Sequence, residues 1–221
     1  TLSETAFQLY AEYGFSKKLT FTGALPIRRF ASGAALDNNT ALQSGTYTGL
    51  GNPVVTARRQ LTDGRLPFTA TLRVEWPVDR YEDRTGVRTG YRAFTFEPLL
   101  STGMGFGSWY WFGYAGYGIR THQYSHFFQA GAEAGVEVRK ARLMLFTDWV
   151  RPFRNGSILL PPPNALTYLY VDRQGWQALG LKASVSMGRF WGLHLAAITA
   201  IRAQNVPRQA VYSAGAWFKW D

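Results

Sequence analysis

The sequence predicts an all-β chain, an antiparallel transmembrane β-barrel, on three observations. Apolar and polar residues alternate with period two over runs of roughly 10–14 residues, the spacing of a strand with one face in an apolar medium. Soluble strands average about 5–6 residues, whereas a tilted membrane strand needs about 9–11. Short turns alternate with longer loops along the chain, and large aromatic residues gather at the strand ends on the apolar phase.

The alternation places eleven strands, at about 5–15, 18–30, 46–61, 66–77, 89–102, 108–121, 125–138, 141–151, 174–187, 191–204 and 209–220. Three of them carry the pattern most plainly. Phe68, Ala70, Leu72, Val74 and Trp76 interleave with Thr69, Thr71, Arg73 and Glu75. Phe128, Ala130, Ala132, Ala134, Val136 and Val138 interleave with Gln129, Gly131, Glu133, Gly135 and Glu137. Leu193, Leu195, Ala197, Thr199, Ile201 and Ala203 interleave with His194, Ala196, Ile198, Ala200 and Arg202.

The connections sort into two ends. Short turns are expected near Gly14–Lys18, Thr62–Arg65, Gly103–Gly107, Arg139–Lys140 and Gly188–Phe190. Asp63-Gly64 suits a type I′ hairpin, whose two central residues both take positive φ. The opposite end carries Ala31–Thr46, Val78–Arg88 and Pro152–Arg173, with shorter links near His122–Tyr124 and Asn205–Arg208. Short periplasmic turns and longer extracellular loops are the asymmetry of an outer-membrane barrel. No linker divides the chain, so residues 1–221 read as one domain.

On the apolar phase, Trp109, Trp111, Trp191 and Trp220 fall at the short-turn end, and Trp76 and Trp149 at the long-loop end. Two girdles of amphipathic rings at the headgroup levels account for that placement. The other phase carries Arg58, Arg73, Glu75, Glu97, Arg120, Glu133, Asp148, Lys182 and Arg202, the residues expected to line a lumen. Unpaired ions inside a barrel are costly, so these charges either pair or face water. Sequence alone leaves both open.

Parity suggests a twelfth strand. The first recognised strand begins at the loop end and the last finishes at the turn end, whereas single-chain bacterial barrels have an even strand number. The expectation is about twelve strands, with the first missing from the 221 residues; Leu166–Val171 is the rival location for the extra strand.

Composition excludes several classes. The chain has no Cys, which removes disulfide frameworks, thiolate zinc sites and thiol catalysis. A mean hydropathy of −0.17 argues against a bundle of membrane helices, but not against a barrel. The one long uncharged run, Pro98–Ile119, is too rich in Gly for a spanning helix. The N-terminal residues have neither the basic nor the apolar region of a signal peptide. The net charge of +10 comes from Lys and Arg on turns and loops, where they favour an anionic lipid surface. Outer-membrane lipid and lipopolysaccharide are the expected partners. Nucleic acid is not, because the barrel reading accounts for the same arginines and aromatics.

Two resemblances add to this reading. Ser213, Gly215, Phe218 and Trp220 resemble, in order, the C-terminal signal of outer-membrane barrels, with Asp221 as a departure. The resemblance implies recognition by the barrel-assembly machinery during insertion. Leu9-Tyr10-Ala11-Glu12-Tyr13-Gly14, Leu19-Thr20, Leu25-Pro26 and Gly49-Leu50-Gly51-Asn52 resemble the outer-membrane channels of phenol-degradation pathways and the long-chain fatty-acid transporters. Asn52 stands where those families carry Asp, and no plug segment like that of the fatty-acid transporters is found. The resemblance implies passive movement of small hydrophobic molecules across the bacterial outer membrane. The alternative is a structural or accessory barrel in a complex with other outer-membrane subunits.

A lipid-modifying enzyme is a third reading, carried only by His122, Ser125 and His126 at one loop. Hydrolysis needs a Ser–His hydrogen bond and an acid behind the His, with Glu97 or Asp148 as the imaginable acids. Ordinary loop residues are the expectation, so no catalytic residues are assigned. His194 is alone on its phase, and no metal or cofactor site is expected.

Overall fold

The computed structural model describes residues 2–37, 40–78 and 80–220; Asp221 and parts of the two loops around 38–39 and 79 lie outside them. In chain order the elements are β1 (Leu2–Ser16), β2 (Leu19–Ser32), β3 (Ala35–Asp37), β4 (Thr40–Leu42), β5 (Gly45–Leu50), β6 (Val54–Gln60), β7 (Phe68–Glu75), β8 (Tyr81–Glu82), β9 (Val87–Arg88), β10 (Thr95–Phe106), β11 (Trp109–Arg120), β12 (Phe127–Val138), β13 (Ala141–Pro152), α1 (Pro162–Thr167), β14 (Gly175–Ser186), β15 (Trp191–Gln204) and β16 (Ala210–Phe218). The eleven expected strands form one antiparallel path, β1-β2-β6-β7-β10-β11-β12-β13-β14-β15-β16, curled into a half-barrel. β1 and β16 do not pair with each other among the described residues.

The departures from strict alternation have local causes. The expected strand 46–61 is split into β5 and β6, both of which pair with β2. The break falls at Gly51-Asn52-Pro53, where Pro53 has no N–H to offer the ladder. The amide of Gly51 donates to the Pro26 carbonyl at 2.8 Å, holding the chain against β2 across the gap. The Gly103–Gly107 turn tightens to Gly107-Ser108, with Gly107 at φ +61°. Asp63-Gly64 is not a type I′ turn. Gly64 alone has positive φ, in a seven-residue link from 61 to 67, and Asp63 instead pairs with Lys18 at 2.6 Å. Leu166–Val171 supplies the end of α1 and a turn rather than a strand, with Tyr168 and Tyr170 both at positive φ.

The two faces of the sheet differ as a membrane strand requires. Trp109, Trp111, Phe68, Phe96, Leu100, Leu145 and Leu181 all share the convex face and remain exposed on it. Trp76, Trp149 and Trp191 also face outward. Trp220 lies beyond the end of β16 and is exposed. Phe218 is convex opposite Trp191, whereas Ser213 and Gly215 face the concave side opposite Ala196 and His194.

Buried apolar side chains sit mostly in the loops. Phe30, Val87 and Leu169 form one cluster, and Tyr91, Ala93 and Tyr124 a second. These clusters join three connections into a cap at the long-loop end.

Candidate functional site: the concave face and its loop cap

Cross-strand partners in register lie on the same face, so the pairing assigns each expected lumen residue directly. Arg58, Arg73, Glu75, Glu97, Arg120, Glu133, Asp148 and Lys182 all fall on the concave side. Most join short polar chains that run across the strands. Arg73 Nη1 donates to both Glu97 oxygens at 2.8 and 2.7 Å, and its other nitrogen lies 3.7 Å from Glu75. Gln129, two strands away, donates to Glu97 at 3.3 Å. Glu133 accepts from Tyr110 at 2.7 Å and pairs with Lys182 at 3.5 Å. Asp148 accepts from Tyr114 at 2.6 Å and from the Trp176 indole at 2.9 Å.

Tyr110 and Tyr114 are the site residues that sequence reasoning passed over. Tyr114 reaches Asp148 across β12, and Tyr110 reaches Glu133 on β12 itself, because β12 offers a glycine beside each ring. A Cβ on Gly131 would fall within the ring of Tyr114, and one on Gly135 within that of Tyr110. The signal was present in the alternation. Both tyrosines share a phase with Gly116 and Gly118, not with Trp109 and Trp111.

Arg202 is a correction. Strict alternation from Ala200 places it on the concave side. A register shift intervenes: Ala178 pairs with Ala200, but Gln177 pairs with Arg202, leaving Ile201 as the extra residue. Gln177 pairs in turn with Trp149, which pairs with Ala130. Arg202 therefore stands on the convex face in the Trp149 row, re-aimed by the bulge. Arg58 is concave but lies outside the networks, exposed between Thr20 and Thr71 near the turn end.

The cap closes over the other end. Asn164, buried in α1, accepts from Arg88 and donates to the Leu169 carbonyl, and Thr167 donates to the Gly86 carbonyl. Tyr91 bonds Gln174, which also donates to the carbonyls of Tyr168 and Asn205. Arg120 lies 3.8 Å from the Tyr91 ring centre and 4.3 Å from that of Phe127, a cation held between two rings. Burial pushes the Tyr91 phenol up to about 12, so it stays neutral at physiological pH.

Asn52 joins the cap to the sheet. Its side-chain nitrogen donates to Glu75 at 2.7 Å and to the Tyr91 carbonyl at 3.0 Å, while its oxygen accepts from the Val78 amide at 2.9 Å. An aspartate there could donate neither bond and would set a second negative charge beside Glu75. Beneath the cap, a cavity of about 280 Å³ lies between Tyr10, Arg28, Thr56, Arg73, Glu75 and Tyr170. That is roughly twice the ~150 Å³ cavity that accepts a benzene ring.

Among the described residues, Ser125 bonds an acid and a backbone amide and no histidine. Its hydroxyl donates to Asp172 at 3.0 Å and accepts from the Gly156 amide at 3.0 Å. His126 Nδ1 instead accepts from the backbone of Arg120, and His122 contacts Thr121. Glu97 and Asp148 are engaged elsewhere, as described above. His194 faces the concave side opposite Gly215. No group of residues that could hold a metal occurs among the described residues, and none of their helices is long and apolar enough to cross a membrane. The latter says nothing of strands.

A girdled apolar convex face, a charged concave face and one capped end define the class: an antiparallel sheet with the architecture of membrane β-barrels. Among solved structures, the chain is similar to an outer membrane channel from Pseudomonas putida F1, with a TM-score of 0.63 and 12% identity. The match covers 96% of this chain and 81% of the other. No family model and no curated protein matches the sequence.

Proposed function

We propose that this chain is a passive channel of the bacterial outer membrane for small hydrophobic molecules. The observation that carries the reading is the concave face, which gathers charged and hydrogen-bonded side chains from β1, β2, β7 and β10–β14 and is hollow beneath the cap, on a sheet whose other face is apolar. The fold likeness to an outer membrane channel supports the same class. The preference for hydrophobic solutes rests on the sequence resemblance described above. The rings of Tyr10 and Tyr170 at the cavity are compatible with it.

Transport in this reading is diffusion, with selectivity set by width and by the groups at the constriction. Tyr170 and Arg28, 5.7 Å apart as a cation–ring pair, border the cavity under the cap. Planar-bilayer conductance, with and without toluene as a test solute, measures the activity, and vesicle uptake measures flux. Insertion without conductance or flux would overturn the proposal.

A structural or accessory role is the second reading, favoured by one specific observation. The chains Arg73–Glu97–Gln129, Tyr110–Glu133–Lys182 and Tyr114–Asp148–Trp176 tie neighbouring strands together and occupy concave space. In this reading inserted protein is stable and silent in both assays.

A further inference from the structure

The convex face at the long-loop end carries an arginine cluster that a lipid-facing surface does not need. Arg151 and Arg202 are exposed on it, and Arg154, also exposed, lies two residues past the end of β13 in the left-handed region at φ +60°. None of the three forms a salt bridge among the described residues. Arg151 lies opposite Phe128 on β12, and Arg202 is two strands from Trp149 in the same row. From a strand spacing of ~4.8 Å and a rise of ~3.3 Å per residue, the Cα atoms of Arg151 and Arg202 are about 12 Å apart.

The surface between them is hollow. One depression of about 550 Å³ is bounded by Phe128, Trp149, Arg151, Phe153, Arg154 and Gln204. A second, of about 580 Å³, shares Trp149, Arg151 and Gln204 and continues to Arg202. Trp149 and Phe128 pack edge to face at 5.7 Å, giving the hollow an aromatic floor. The bulge in β15 matters here. Without it Arg202 would join the concave face; with it, a third cation is set on the lipid side beside the aromatic girdle.

We infer that this groove binds a phosphorylated glycolipid of the outer leaflet, the lipid A end of lipopolysaccharide. The geometry supplies separated guanidinium groups for phosphates at headgroup level and rings for the adjoining sugar and acyl segments. Guanidinium groups bind phosphate through paired, charge-assisted hydrogen bonds. The inference rests on the outer-membrane reading with the loops outward, but not on transport.

Native mass spectrometry of the full chain in mild detergent tests it, using bisphosphorylated lipid A, the same lipid A after phosphatase treatment, and phosphatidylglycerol. The bisphosphorylated form should be retained more than tenfold better than either alternative. Replacing Arg151, Arg154 and Arg202 together by Gln should remove that advantage, while Lys17→Gln with Arg139→Gln at the other end should leave it intact. Equal retention of the dephosphorylated lipid, or of phosphatidylglycerol, overturns the inference, as does undiminished binding by the triple variant. If the triple variant does not fold, the phosphatase comparison on the wild-type chain decides alone. Wild-type protein that conducts without this lipid preference refutes the groove only, and protein that shows the preference but does not conduct refutes the channel only.

Discussion

Glu97→Gln isolates the central ion pair of the concave face. Glu97 is only 2% exposed and accepts both bonds from Arg73, so the change removes a buried charge while keeping side-chain shape. Breaking a buried pair by removing one partner costs about 3–5 kcal/mol. Two features reduce that here. Arg73 is about one-third exposed, and Glu75 remains 3.7 Å away to hold part of its charge. The expected loss is therefore nearer about 2–3 kcal/mol, after discounting for solvent screening. Urea unfolding of micelle-bound protein, followed by tryptophan fluorescence, should show a midpoint lower by roughly 1 M for a slope of about 2–3 kcal/mol per M. The double variant Arg73→Met with Glu97→Leu should recover most of the loss, since a buried pair is commonly replaceable by apolar residues of similar volume. A Glu97→Gln midpoint equal to that of the wild type would refute the assignment of this pair as a buried tie between β7 and β10.

Gly131→Ala should displace the Tyr114 ring and break its bond to Asp148, costing about 1–3 kcal/mol as an overpacking change; the same unfolding assay measures it, and Ala132→Gly on the convex side of β12 is the control. The cap should loosen in alkali. The folded state holds the Tyr91 proton to about 12 and the unfolded chain to about 10, so the cap's stability is intact below pH 10 and falls as pH rises from 10 to 12, by roughly 3 kcal/mol at 1.36 kcal/mol per pH unit. Hydrogen exchange at Ala93 and Tyr124 should rise across that window in the wild type, and a Tyr91→Phe variant should lack this component.

The strands and their two faces were legible because period-two alternation is a property of single residues and needs no partner. The Trp residues gave up their orientation for the same reason. Three features were not legible, each because it depends on a neighbouring strand or loop. The bulge at Ile201 exists only in the pairing of β14 with β15, and it reverses the side of every residue beyond it, Arg202 first. Tyr114 reads as one more aromatic until Gly131 is seen beside it. The cap is built from Asn164, Thr167 and Gln174 bonding to loops far away in sequence, with no local periodicity to announce it. The split at Gly51-Asn52-Pro53 lies between these cases. Its proline was visible, but the bonds that make Asn52 suit the position come from Glu75, Val78 and Tyr91.

The position of the charge, more than its total, bears on what a path through this chain would select. The protein is strongly basic, with a net charge of +10. A basic lumen would be the simplest inference from that number, and it would imply anion selectivity. The concave face contradicts it. There the acids Glu4, Glu12, Glu75, Glu97, Glu133, Glu137 and Asp148 slightly outnumber the bases Arg28, Arg58, Arg73, Arg120, Arg142 and Lys182. The excess of arginine and lysine lies instead on the turns, on the loops and on the convex face, where Arg29, Arg59, Arg151 and Arg202 stand. Charges in those places act on the membrane surface, and at more than a Debye length of about 8–10 Å they are screened from a solute inside. If the chain is the channel proposed above, a path lined in this way would exert no net pull on anions, in keeping with a neutral solute, and the basic excess would lie where the proposed lipid contacts are.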